Sequence, residues 1–248
     1  VMLARPDKRN AMDEAMFEAI VAAAESLRDA PGLGAVILHG SGPAFCAGID
    51  TGLLMSMAGR IEMVRAEMLA PPPGTANRFQ RPCTVWSELP VPVIAAIHGV
   101  AFGAGLQLAL GADFRLVAPD ARLSVMEARW GLIPDMGLSL FLPALMRADQ
   151  AKELILTARE VPAQEAERIG LATRVEADPL AAARAMAARL AGVSPEVLRD
   201  GKHLVQACWP GTPESLTLEA ELQAAILGSA QQIAAVAANL ARRRPDPG

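Results

Sequence analysis

The chain has 248 residues, 52% apolar and 20% charged, with a mean hydropathy of +0.27; this excludes a mainly disordered polymer and allows one large domain, with or without a small appendage. Tyrosine is absent, aromatics make up 4%, and alanine is roughly a fifth of the residues, so the core is aliphatic and helices meet through small side chains. Net charge is −4 and only Lys8, Lys152 and Lys202 are lysines, so neither nucleic acid nor an anionic membrane is an expected partner.

Val1 lies in what reads as the end of a strand, so a preceding strand or hairpin is expected outside this chain. Apolar residues recur at helical spacing from Met12 to Asp29, and Pro31-Gly32 stops them. Ala35–Leu38 is a short buried-strand run closed by Gly40-Ser-Gly-Pro43. Residues 52–58 read as helix, whereas 59–76 lack a period and are expected to form a mobile surface segment. A helix is expected to end over Trp86–Leu89. Strands follow at Pro92–Ile97, Phe114–Ala118 and Leu123–Val125, with a helix opened by Gly103-Ala-Gly105 and running through Leu110. This alternation predicts an α/β domain with buried sheet strands. Beyond Ser194 the chain is helix-rich, and Leu216–Leu240 carries enough Ala and Leu to pack on another subunit as readily as on its own core.

Cys46, Cys83 and Cys208 are widely spaced and form no CxxC pair, which fits a reduced cytoplasmic setting. No apolar run of membrane-spanning length occurs. His39 and His98 end buried strands and are expected to be hydrogen-bonded there, while His203 is expected on a surface. No His, Cys or acid cluster has metal-ligand spacing, so no metal is expected. Cys46 reads as a small buried side chain, and Trp130 as a pocket wall or core filler.

Two segments have the form of anion-stabilising turns. Phe45-Cys-Ala-Gly-Ile-Asp50 joins a strand to the helix near Thr51, and His98-Gly-Val-Ala-Phe-Gly-Ala-Gly105 does the same through three glycines. Helix starts leave N–H groups unpaired, and one from each turn aimed at a single oxygen would make an oxyanion hole. Pattern alone leaves tight packing as the commoner use of such turns. Three polar residues stand in apolar surroundings: Gln107, Glu127 and Asp135. Their structural alternatives are a backbone contact for Gln107, a pair with Arg129 or Arg122 for Glu127, and a helix cap near Gly137 for Asp135.

The stretches Arg5–Met12 (RPDKRNAM), Ala44–Asp50 (AFCAGID), Pro92–Leu110 (PVIAAIHGVAFGAGLQLAL) and Ser124–Gly137 (SVMEARWGLIPDMG) resemble the enoyl-CoA hydratase/isomerase (crotonase) superfamily. The resemblance implies an α/β fold, a crotonase-like spiral of ββα units over residues 1–193. Residues 194–248 would form a helical region for trimerisation, giving a homotrimer or a dimer of trimers. It also implies an acyl-CoA thioester substrate, with coenzyme A as part of that substrate and no separate cofactor, and chemistry through an enolate. By position the oxyanion donors would be the N–H groups of Ile49 and Ala104. CoA contacts would come from Lys8, Arg9, Ala47, Ile49 and Asp50, with Arg242, Arg243 and Arg244 as further phosphate partners.

One departure bears on the reaction. Hydratases of this family use two glutamates; the second matches Glu127, but the first falls on Gln107, and an amide neither takes nor gives a proton at neutral pH. Asp135 matches an acid position of the dienoyl-CoA isomerase branch, which favours double-bond isomerisation with Glu127 and Asp135 as proton carriers. The alternatives are hydration by a single glutamate, dehalogenation or hydrolysis with Asp135 as nucleophile, and a non-catalytic CoA-binding scaffold.

Overall fold

The computed structural model describes residues 1–72 and 75–209, together with Ala230 and Ala234. Strand β1 (Met2–Leu3) lies at the edge of the first sheet, parallel to β2 (Val36–Gly40), with Met2 opposite His39. Between them runs α1 (Glu14–Arg28), capped by the Asp13 carboxylate, which accepts from Met16 N–H at 2.8 Å. Its buried residues Phe17, Ile20 and Ala24 recur at helical spacing and face the core. Two helices follow, α2 (Thr51–Ala58) and α3 (Ile61–Leu69), then a short α4 (Arg81–Thr84).

Helix α3 lies within the segment expected to be irregular. Its period is faint because Val64 is its one buried residue, so tertiary anchoring, not amphipathicity, holds it. Asn77 reinforces it, donating to the Met68 carbonyl at 3.2 Å while accepting from Phe79 and Gln80 N–H. The helix expected to end over Trp86–Leu89 is α4, which stops earlier; fully buried Trp86 follows it and donates to the Pro82 carbonyl at 3.0 Å.

Next comes β3 (Val93–Ile97), buried at every position as the centre of a parallel sheet requires. After the His98-Gly99 corner, β4 (Val100–Phe102) opens a second sheet and α5 (Ala104–Leu110) packs behind it, completing a ββα unit. Gly99 has φ +62°, and a Cβ there would meet the Pro43 carbonyl oxygen at 2.1 Å, so only glycine turns this corner without strain. The pattern repeats with β5 (Phe114–Val117) in the first sheet and β6 (Arg122–Ser124) in the second. Short helices α6 (Leu138–Phe141) and α7 (Ala148–Thr157) precede β7 (Val161–Pro162), α8 (Ala163–Arg168) and β8 (Arg174–Val175).

The first sheet therefore has the order β1-β2-β3-β5-β8 with all pairs parallel, and the second β4-β6-β7 with β7 antiparallel. Val93, Ala95 and Ile97 point into the main core, and Ile94 and Ala96 point to the opposite face. There α9 (Pro179–Leu190) presents Ala183, buried with Ile94, Ala96 and Leu116. The alanine-rich composition thus shows as a close helix-on-sheet contact.

Helix α10 (Pro195–Cys208), capped by Ser194, docks through polar contacts. Lys202 Nζ lies 2.8 Å from Asp113 and 3.0 Å from the Val91 carbonyl. His203 on this helix is exposed, as expected, whereas His39 and His98 are half-buried. The proposed contact stretch 216–240 lies outside the described residues apart from Ala230 and Ala234, as do Arg242, Arg243 and Arg244. Among the described residues no helix is long and apolar enough to cross a membrane.

Candidate active site

The two turns singled out by sequence are neighbours. Cys46 and Ala101 form a parallel bridge, with Cys46 N–H donating to Val100 O at 3.0 Å and Phe102 N–H to Cys46 O at 3.1 Å. A second bridge joins Met12 to Ile49. The bonds flanking Ile49 are Met12 N–H to Gly48 O and Asp50 N–H to Met12 O, and the Ile49 N–H itself donates to no protein acceptor among the described residues. Gly103, at φ +50° and ψ −120°, starts α5 in a conformation that favours glycine, leaving Ala104 N–H at the helix N-terminus without an intrahelical acceptor.

Asn10 holds the first turn from beneath. It is fully buried, donates to the carbonyls of Ser41 and Ala44 at 2.9 and 2.8 Å, and accepts from Arg5 N–H at 2.9 Å. Arg5 in turn pairs with Asp50 at 3.1 Å and Asp13 at 3.3 Å. Sequence reading gave neither residue a role of its own. A buried asparagine between charged and turn residues was the available signal. The Cys46 thiol donates to Asn10 O at 3.1 Å, and burial pushes its pKa up to about 12, so it is an inert packing group as expected.

A cleft of about 320 Å³ opens in front of these turns. Its walls include Lys8, Ala47, Ile49, Asp50, Ala104, Glu127, Trp130 and Asp135, so most of the sequence-derived candidates share one cavity. Leu54, Met126 and Leu132 supply apolar wall that sequence reading did not single out. Trp130 is 58% exposed and belongs to the wall, not the core. Arg9 and Gln107 do not line the cleft. Arg9 is exposed, and its carbonyl accepts from Ala47 N–H at 2.9 Å. Asp50 caps α2 by accepting from Gly52 N–H at 2.8 Å; that bond, with help from Arg5 and Lys8, holds its carboxyl below the usual range.

Glu127 opens a 3-10 turn, Glu127–Trp130, after β6 and is 8% exposed. It pairs with neither Arg122, which is bound to Glu160, nor Arg129, which donates to the Ala158 carbonyl. Its Oε1 instead accepts from Gln107 Nε2 at 2.7 Å, while its Oε2 is buried without a hydrogen-bond partner. A Cβ built on Gly103 would lie 3.3 Å from that Oε1, so the missing side chain makes room for the carboxylate beside α5. Burial raises the Glu127 pKa and the Asp135 charge adds to the rise, while hydrogen bonds to backbone and to Gln107 oppose it.

Gln107 is 1% exposed, and its Oε1 accepts from Met136 N–H at 2.9 Å and Leu138 N–H at 3.3 Å. The backbone contact considered from sequence is therefore present, and the same amide also reaches Glu127. Asp135 does not cap α6, whose N-cap residue is Gly137 and which has no side-chain cap. Asp135 is exposed as a residue and lines the cleft, and partial desolvation there raises its pKa.

Two backbone N–H groups at adjoining turns and two carboxyl groups with raised pKa values line one cleft, an arrangement chemically suited to stabilising an oxyanion next to proton transfer. Comparison with known proteins agrees. The family described as Enoyl-CoA hydratase/isomerase matches residues 1–246, and the chain belongs to it. It is 33% identical over 251 residues to the "Probable enoyl-CoA hydratase echA8" of Mycobacterium tuberculosis, covering 99% of this chain and 92% of that protein. It is also 33% identical over 259 residues to the mitochondrial Delta(3,5)-Delta(2,4)-dienoyl-CoA isomerase of Rattus norvegicus, covering 98% of this chain and 76% of that one. The crystal structure of an enoyl-CoA hydratase from Polaromonas sp. JS666 superposes with a TM-score of 0.88 at 28% identity, over 99% of this chain and 94% of the other. The fold is the crotonase α/β fold, and the protein is an acyl-CoA enzyme of the hydratase/isomerase family.

Proposed function

We propose that the protein shifts a double bond in an enoyl-CoA thioester. The observation that carries this reading is that Glu127 and Asp135 line one cleft, whereas the residue at the other family acid position is an amide outside it. In this scheme the thioester oxygen lies against the N–H groups of Ile49 and Ala104, each contributing about 3–4 kcal/mol toward the developing enolate. The Glu127 carboxylate removes a proton from the α-carbon. The electron pair moves into a dienolate, and the Asp135 carboxylic acid returns a proton farther along the conjugated chain. No water is consumed. Glu127 is left protonated and Asp135 ionised, and proton exchange with solvent resets both. Desolvation shifts the Asp135 pKa upward, the direction that an acid role needs.

Lys8, Ala47, Ile49 and Asp50 would contact the CoA portion, since all four line the cleft. The chain would assemble as a homotrimer or a dimer of trimers through residues 194–248, and light scattering would read the assembly mass directly.

Incubation with 3-enoyl-, 2-enoyl- and dienoyl-CoAs, followed by absorbance and mass, tests the activity. Isomerisation changes the absorbance at constant mass. A product heavier by one water would replace this reading with single-glutamate hydration, and CoA-induced stabilisation without turnover of any thioester would favour a binding scaffold.

A further inference from the structure

The geometry points to Gln107 as a positioning residue that ties the Glu127 carboxylate to the backbone of the Asp135 loop and sets the orientation and charge balance of that carboxylate. This rests on the proposed isomerase site, whose residues it connects.

The orientation of the amide follows from its partners. Met136 and Leu138 offer two N–H donors, so the amide oxygen must face them, and the NH₂ group must face Glu127 Oε1. Both ends of a buried side chain are thereby used, from the turn after β6 on one side to the start of α6 and the loop before it on the other. An ionised glutamate at the same place would still accept from the two backbone groups. It could not donate to Glu127, and it would bring a second negative charge to within hydrogen-bond distance. The amide thus does two things that a second acid could not do together. It occupies Oε1 with a donor, and it holds the loop carrying Asp135 without adding charge to the cleft.

The other groups around Glu127 do not replace it. Asp135 faces Glu127 across the cleft as a like charge. Cys83, on α4, is a buried thiol held protonated by desolvation. Gly103 presents backbone only, and Arg129 turns away to the Ala158 carbonyl. Within this set Gln107 is the side chain that donates to the carboxylate.

Two variants test the arrangement, one conserving the loop contact and one removing it. In Gln107→Glu the amides of Met136 and Leu138 should keep their protection from hydrogen exchange, while the acidic limb of kcat/KM moves up by at least about one pH unit. In Gln107→Met both amides should exchange about five- to tenfold faster, the equivalent of about one lost hydrogen bond. Hydrogen exchange needs no substrate, so it reads the strut even if isomerisation is not the reaction. In that case the Glu127 pKa, followed by infrared difference spectroscopy against Glu127→Gln, replaces the rate profile. Unchanged exchange at both amides in Gln107→Met, or an unmoved Glu127 titration in Gln107→Glu, would overturn the proposal. If Gln107→Met does not fold, the Glu127 titration in Gln107→Glu decides alone.

Discussion

Cys46 and Ala101 face each other in a parallel bridge between two turns far apart in sequence, and this pairing seats Ile49 beside the start of α5. The approach is close enough that Gly105 has no space for a side chain, since a Cβ there would meet the Cys46 carbonyl oxygen at 2.4 Å. The relative position of the Ile49 and Ala104 N–H groups, the donors of the proposed oxyanion hole, therefore depends on this backbone packing.

Gly105→Ala should separate the two turns. The expected cost is about 1–3 kcal/mol of stability, with a larger proportional loss in kcat than in substrate binding because the donors are misaligned. Thermal unfolding and steady-state kinetics check both parts, and an unaltered kcat would show that the N–H groups tolerate the shift.

Glu127→Gln should abolish proton removal while keeping the shape of the site, lowering kcat by about 10²-fold or more. Its effect on stability has the opposite sign. The folded-state pKa of Glu127 lies above the ordinary 4.5, so its favourable contribution is complete below that value and is lost as pH rises through the folded pKa. The variant should therefore gain on the parent as pH rises through that window. Denaturant unfolding across pH measures the difference, and a parent that gains on the variant with rising pH would contradict the burial argument.

Asp135→Asn removes the proposed proton donor. The parent should lose activity on the alkaline side as the raised pKa of Asp135 is passed, and the variant should lose that limb together with most of its rate. Because Asp135 makes no ion pair among the described residues and caps no helix, its replacement removes no such stabilising contact, and with the Asp135 pKa raised the variant should gain on the parent as pH rises through that pKa. A variant with an intact alkaline limb would assign that limb to another group.

Lys202→Met tests how α10 is attached. Lys202 has a side-chain exposure of 7% and meets Asp113 and the Val91 carbonyl, so its loss removes an ion pair from Asp113, which keeps the Val93 N–H donor, and a hydrogen bond from the half-buried Val91 carbonyl. A destabilisation of about 2–4 kcal/mol is expected from chemical unfolding, with little change in KM because the cleft is lined by other residues.

Helices α1, α2 and α5, strands β2, β3, β5 and β6, the two glycine turns and the three polar residues in apolar surroundings were legible in the sequence, because helical spacing, buried-strand runs and Gly/Pro stops leave local marks, whereas β4 and the short elements from α6 to β8, together with α9, were not read from it. Helix α3 was not legible. One buried valine and the contacts of Asn77 define it, and neither produces a period. Asn10 and Arg5 were also silent, since their partners lie as much as 34 and 45 residues away in the chain. The chemistry divides along the same line. That position 107 carries an amide, and so transfers no proton, is a property of the residue type and could be stated from sequence. Which atoms that amide engages was decided only when the chain brought α5, Glu127 and the loop before α6 together, because hydrogen-bond direction depends on where the donors lie in space.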